Sequence, residues 1–157
     1  MATLVKPEKR TAARSRNLVL EEFTPYRIVA LGHALSGRLA KTYADENLTI
    51  PEWRVLAVVA QAESVAARDV VARTPMDKMT VSRAVANLEE KSIVCRAPSE
   101  TDRRVSMLSL SADGRALFDR VAEKALEYED ELMAALALKE RRALDAALSK
   151  LMAKTKT

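Results

Sequence analysis

Residues 77–91 read DKMTVSRAVANLEEK, and the two faces of this short stretch decide the fold. Val81, Val85 and Leu88 fall at i, i+4 and i+7, so at about 100° per residue they form one apolar stripe on a helix. Asp77 stands where an N-cap is wanted, with Thr80 at the third helical position. The opposite face carries Met79, Ser82, Arg83, Ala86 and Asn87, flanked by Lys78 and Thr80. Just upstream, residues 66–73 form a second short helical run, and Thr74-Pro75-Met76 breaks the two apart. Two short helices joined by a tight turn predict a helix-turn-helix whose inner stripe packs on Val70, Val71 and the helix before them.

Downstream the period changes. Ile93, Val94 and Cys95 lead to Arg96 and Pro98, and Val105, Met107, Leu108 and Leu110 follow a polar stretch, Ser99-Glu100-Thr101-Asp102-Arg103-Arg104. This predicts a β-hairpin with a charged tip. Ser111 is placed to cap a long helix from Ala112 to about Leu136. After a break near Leu138-Lys139, a last helix runs to about Ala153. Upstream of the pair, Thr49 with Glu52 three residues on, and Pro51 between them, predicts a capping box. The helix that follows runs from Trp53 to about Gln61, with Trp53 in the core. Ala62–Val65 has room for one brief strand. From Leu18 to about Tyr43 apolar residues recur at helical spacing, interrupted by Pro25 early on. They cover more than one stripe, which predicts one face against the chain's own domain and another against a partner subunit. Residues 1–16 are polar and aperiodic, a disordered tail. Lys6, Lys9, Arg10, Arg14 and Arg16 against Glu8 place the whole net charge of +4 there.

Composition narrows the class. A chain of 157 residues suits one domain, or a small domain with dimerisation arms. Only 3 glycines and 5 prolines favour a mainly α fold over a turn-rich sheet. One cysteine excludes an internal disulfide and a cysteine-cluster zinc site, and one histidine leaves little for triad catalysis. The longest purely apolar run, Leu132 to Leu138, is far short of the roughly 18 residues of a membrane span. Neither a Gly-rich phosphate loop nor a paired-carboxylate motif appears, and no cofactor is expected. The expectation is a cytoplasmic binding protein, without membrane or metal, and not an enzyme.

A helix suits the major groove, where base edges carry a distinct donor and acceptor pattern. Arg83 can reach a guanine edge with two hydrogen bonds. Thr80, Ser82 and Asn87 can reach bases or phosphates, and Met79 can touch a thymine methyl. Arg103 and Arg104 sit on a tip able to follow the backbone or enter the minor groove. Each also has a plainer reading as a solvated or capping side chain. A winged-helix module that only binds protein, or has an architectural role, is the competing reading.

Residues 49–111 resemble the MarR family of bacterial transcriptional regulators. The resemblance rests on Pro51-Glu52-Trp53-Arg54-Val55-Leu56, on Thr80-Val81-Ser82-Arg83 through Leu88-Glu89-Glu90-Lys91, and on Asp102-Arg103-Arg104 before Leu108-Ser109-Leu110-Ser111. It implies a mainly α (α+β) winged helix-turn-helix with about six helices, a small hairpin wing and long terminal dimerisation helices. The parts would be a tail (1–16), an N-terminal dimerisation helix (17–48), the DNA-binding domain (49–111) and C-terminal dimerisation helices (112–157). It further implies a nucleoid-associated homodimer on a pseudo-palindromic operator in double-stranded DNA, usually a repressor. Release would come from a small anionic aromatic effector, or in a subset from cysteine oxidation. Recognition helix 77–91 would carry Lys78 among its contacts, and wing 99–104 would hold Asp102 as the salt-bridge anchor of Arg104. Arg27 and His33, on the helix that borders the usual effector cleft, are candidate ligand residues, each against an ordinary structural reading. Cys95 falls in the first wing strand and is expected to be a half-buried structural thiol, with oxidant sensing as the alternative. The chain departs from the family in two places. Ser92 stands where Gly suits a left-handed C-terminal position, and Thr74-Pro75 replaces the usual Leu-Gly of the turn, which puts the recognition helix's angle of approach in question.

Overall fold

The structure, a computed structural model, describes residues 18–156, and the chain divides into two compact units that part between Arg38 and Leu39. In the first unit a 3₁₀ turn at Leu20–Glu22 precedes helix α1 (Thr24–Thr42). The helix therefore starts later than its apolar periodicity suggests. Phe23 is extended, and Pro25 falls in the first turn, where its missing N–H leaves no hydrogen bond unmade. Leu18, Phe23, Tyr26, Ile28, Val29 and Leu31 of this unit are exposed.

The second unit holds α2 (Ile50–Val59), β1 (Val65–Ala66), α3 (Ala67–Arg73), α4 (Lys78–Glu90), β2 (Val94–Pro98), β3 (Ser106–Leu110), α5 (Ala112–Met133) and α6 (Leu138–Thr155). The three strands form one antiparallel sheet in the order β1-β3-β2. Val65 faces Leu108 across one ladder, and Arg96 faces Leu108 across the other. Six helices with a small winged sheet are the fold that the sequence implies.

Local chemistry sets each boundary. The capping box at Thr49 is closed in both directions: Glu52 N–H donates to Thr49 Oγ1 at 3.3 Å, and Thr49 N–H donates to Glu52 Oε2 at 2.9 Å. Thr74 is extended (φ −127°, ψ 152°), as the residue before a proline prefers, and its hydroxyl donates to the Val70 carbonyl at 2.7 Å. Pro75 thus ends α3 without a glycine. Asp77 caps α4 by accepting from Thr80 N–H at 2.7 Å. At α6, where Ala137 offers no capping side chain, Glu140 reaches back to accept from Ala137 N–H at 2.8 Å.

Two clusters make the core. Val81, Val85 and Leu88 of α4 pack with Val70, Val55, Val59 and Leu108. Tyr43, Leu56, Leu117 and Val121 form the second, bordered by Trp53, which is partly buried and stacks on Phe118 with ring centroids 6.0 Å apart. Asp45 and Glu46, just after α1, pair with Lys124 and Arg120 of α5, which ties that turn to the second cluster.

The joint from α4 to the hairpin is tight. Ser92 adopts the left-handed conformation (φ 59°), so the turn keeps its glycine-like geometry at the cost of backbone strain. Ser111 locks α5 onto this joint: its hydroxyl donates to the Ser92 carbonyl at 2.7 Å and accepts from Gly114 N–H at 2.9 Å. The packing leaves no room at Gly114, where a Cβ would lie 2.1 Å from the Ile93 carbonyl oxygen.

Two substitutions in this joint are expected to move stability in opposite directions. Ser92→Gly removes the left-handed penalty and should stabilise the fold by about 0.5–1 kcal/mol in chemical denaturation. Gly114→Ala drives a methyl into a backbone carbonyl and should cost about 3 kcal/mol. A Gly114→Ala protein as stable as the wild type would show that α5 is free to back away from Ile93.

Candidate nucleic-acid interface

Capping at Asp77 and the apolar stripe beneath fix which side of α4 faces out. Lys78, Met79, Ser82, Arg83 and Ala86 are exposed, Met79 at 64% despite its apolar side chain. Thr80 is half-buried. Its N–H and its hydroxyl both bond Asp77, and these bonds hold the Asp77 carboxyl below the usual range. Arg83 lies close enough to add a smaller electrostatic effect in the same direction. Asn87 is exposed, near enough to Glu52 to help keep that carboxyl low. Of the expected contact residues on α4, Lys78, Met79, Ser82, Arg83 and Asn87 are therefore exposed together, whereas Thr80 is half-buried and bonded to the cap Asp77.

The hairpin tip is ordered by its own hydrogen bonds. Ser99 N–H donates to the Val105 carbonyl and Val105 N–H to the Asp102 carbonyl, both at 2.9 Å. Asp102 accepts from Arg104 three times: from its backbone N–H at 3.0 Å, from Nε at 3.2 Å and from Nη2 at 3.4 Å. These bonds, side chain first, hold the Asp102 carboxyl below its usual range. Arg104 remains 92% exposed, so the anchor sets its direction without hiding it. Arg103 is exposed beside it.

Several residues essential to this surface escape a reading by pattern. Arg68 opens α3, and its charge acts on Asp102 of the tip. Arg96, in the middle of β2, grips Glu89 of α4 with Nε and Nη2 at 2.9–3.1 Å. A cleft of about 360 Å³ between α3, α4 and β2 has Val71, Val81 and Val85 as its floor and Arg68, Lys78, Ser82 and Arg96 at its rim. A second, of about 230 Å³, is lined by Arg96, Arg103, Arg104 and Ser106. Arg96 borders both clefts, with its charge paired to Glu89. The sequence signals were faint: opposite charges seven residues apart across a turn, and a lone Arg at a helix start.

Beneath this surface lies a carboxylate almost wholly removed from water. Glu52 is 1% exposed. Burial pushes its carboxyl up, but the Thr49 N–H, the Lys91 ammonium at 2.9 Å and the Asn87 side chain together outweigh burial and hold it below the usual value. Lys91 Nζ also donates to the carbonyl of Asn47 at 2.7 Å, a residue in the left-handed conformation (φ 52°).

The remaining candidates are not brought together. Arg27 lines an open recess on α1 with Glu21, Thr24 and Tyr26, whereas His33, six residues on and exposed, does not line it. Cys95 is exposed, which corrects the expectation of a half-buried thiol. Only Val94 of β2 is buried, because beyond it the strand runs out past the core toward the hairpin tip. Among the described residues no cluster of His, Cys, Asp and Glu could hold a metal ion, and no helix is long and apolar enough to cross a membrane.

Comparison with known proteins agrees with this geometry. The model of the MarR family matches residues 46–105. The transcriptional regulator TtmR of Methylorubrum extorquens is 28% identical over 119 residues, which cover 76% of this chain and 60% of TtmR, so the chain spans less than two thirds of that relative. Among solved structures, Bordetella bronchiseptica BpsR, described with regulation of its DNA binding by 6-hydroxynicotinic acid, superposes with a TM-score of 0.78. It is 23% identical, and the match covers 87% of this chain and 97% of BpsR. A variant of Escherichia coli MarR in complex with operator DNA gives a TM-score of 0.76 at 20% identity, over 86% of this chain and 99% of that one. At these identities the two structures bear on the fold alone.

The Glu52 network makes stability depend on pH in a definite direction. Its carboxyl is depressed in the folded state, so its contribution is complete above the ordinary glutamate range and is lost as pH falls through the folded value. Glu52→Gln should cost about 1–3 kcal/mol at neutral pH, with the gap to wild type closing on acidification. Denaturation curves from pH 7 downwards check this, and a gap that stays constant with pH would contradict it.

Proposed function

We propose that this chain is a winged helix-turn-helix transcription regulator of the MarR family, whose model it matches over residues 46–105, and that it binds a pseudo-palindromic operator in double-stranded DNA as a homodimer and represses transcription there. Residues 49–111 would be the DNA-binding domain, with 17–48 and 112–157 as dimerisation segments and 1–16 as a basic tail. The observation that carries the reading is the shared exposure of Lys78, Ser82 and Arg83 on one face of α4, together with that of Arg103 and the Asp102-anchored Arg104 at the hairpin tip. A helix face of small, polar and cationic side chains matches base edges in the major groove. A narrow tip bearing two guanidinium groups matches the minor groove or the backbone beside it. Thr80 would act mainly through the protein, by holding Asp77, while Asn87 stays available to DNA.

The dimer follows from apolar surface that the second unit leaves open on its own helices. Leu138, Leu144, Leu148, Leu151 and Met152 of α6 are exposed, as are Leu126 and Leu132 of α5. With the exposed residues of the first unit they supply the apolar area of an obligate interface, on the order of 2,000 Å². Repression and its release by a small anionic aromatic effector rest on the family, and the printed subject of the BpsR structure, 6-hydroxynicotinic acid, is a compound of that kind. Arg27, within its recess on α1, is the better placed of the two candidate ligand residues. Such an effector acts only by binding the DNA-incompetent arrangement more tightly. The same reading places the protein in the bacterial cytoplasm, at the nucleoid.

Substitutions should separate the two contacting elements. Arg83→Ala is expected to cost about 1–3 kcal/mol on the specific duplex and to relax preference at one position of each half-site. Arg103→Ala should weaken specific and random duplexes alike and lower the salt slope by about one per site. Salt titrations of each variant on both duplexes make the comparison. Equal loss on both duplexes for Arg83→Ala would remove the α4 face from the role of reading head.

A further inference from the structure

Arg96 faces the groove between α4 and the wing, yet its guanidinium is already occupied. Nε lies 3.1 Å from both carboxylate oxygens of Glu89, Nη2 lies 2.9 Å from Oε2, and Nη1 lies 3.4 Å from Ser106 Oγ on β3. One side chain thus joins the last turn of α4 to both strands of the hairpin. We propose that Arg96 is a positioning residue: its fork onto Glu89 sets the wing at a fixed distance from the recognition helix before DNA arrives. The inference rests on the DNA-binding reading given above.

Three features of the hairpin make such a clamp necessary. β2 is an edge strand, and β1 pairs with β3 on the far side only at Met107 and Leu108. Beyond Val94 no residue of β2 is buried, so the strand's outward half has no core to rest on. The joint through Ser92 and the buried Val94 and Leu108 hold the base of the hairpin, which leaves its outward half without an attachment to α4. The Arg96–Glu89 pair supplies that attachment, two residues beyond the start of β2. A planar guanidinium forked on a carboxylate fixes direction as well as distance, which a lysine does not.

Magnitudes decide between geometry and stability as the role of this pair. Arg96 and Glu89 side chains are 39% and 32% exposed, and ion pairs this wet add little to folding. The same partnership blunts Arg96 as a phosphate contact, because its charge is already balanced by Glu89. What the pair does control is the span between the Arg83 face and the Arg104 tip, on which simultaneous engagement of two grooves depends.

The test compares wild type with Arg96→Gln, Arg96→Lys, Glu89→Gln and the double Glu89→Gln/Arg96→Gln. The probes are a duplex recovered by selection from random sequence and a random duplex, each titrated with salt. Thermal melts within a few degrees of wild type confirm folding. The expected result is a loss of about tenfold in specific affinity for each single variant, no greater loss in the double, and an unchanged salt slope. The sign for Glu89→Gln is the sharpest part. Removing a negative charge beside DNA ordinarily tightens binding, but loss of the clamp should weaken it on the selected duplex. The inference is overturned if Glu89→Gln tightens specific binding, if Arg96→Lys matches wild type, or if Arg96→Gln lowers the salt slope as a lost phosphate contact does. If the wild type itself does not prefer the selected duplex, the DNA-binding reading fails and this inference with it. If the wild type does and the variants behave otherwise than expected, the inference alone fails.

Discussion

A carboxylate taken out of water has to be given partners, and the partners Glu52 takes decide how the helices of the second unit lie together. Its first tie is local, to Thr49, and starts α2. Its other reaches forward to Lys91, at the far end of α4. Lys91 in turn satisfies the carbonyl of Asn47, in the turn that leads into α2. One buried charge therefore fixes the start of α2, the turn before it and the C-terminal end of α4. Hydrophobic burial of Val81, Val85 and Leu88 is non-directional and would tolerate sliding. The Glu52 network is directional and does not, because any slide leaves an unpaired charge in the core.

With α4 held at that end, the elements that would meet DNA hang from it in series. Ser92 turns the chain into β2, Ser111 and Gly114 lock α5 against the same joint, and Glu89 reaches across to Arg96. At the end of the hairpin Asp102 orients Arg104. The interior links are buried and strong, and the outer ones are exposed and weak. This gradient suits a protein that needs a rigid reading face and a tip able to settle on a groove of variable width. The polar residues of α4 divide in the same way, with Ser82, Arg83 and Asn87 outward and Thr80 bonded to the cap Asp77.

What the sequence made legible was whatever acts over three or four residues. The box of Thr49 and Glu52, the caps Asp77 and Ser111, and the stripe of Val81, Val85 and Leu88 follow from short spacings, and each stands where those spacings put it. The left-handed site at Ser92 and the pairing of Asp102 with Arg104 were legible only through the family resemblance. Interactions across many residues were not legible. Nothing in a linear reading ties Glu52 to Lys91, Arg68 to the wing tip, or Glu89 to Arg96. Exposure was also misread at Cys95, since strand composition does not show where β2 leaves the core. The late start of α1 has a similar origin: apolar periodicity continues through Leu18–Phe23, but the proline at 25 sets where helical geometry can begin.

The most direct measurement of the central claim is a selection of binding sites from random duplex DNA by the purified protein. The account predicts a recovered sequence with dyad symmetry whose half-site centres lie about one helical turn, roughly 10 base pairs, apart, as two α4 helices of a homodimer require. No enriched sequence, or an enriched site without a dyad, would contradict it.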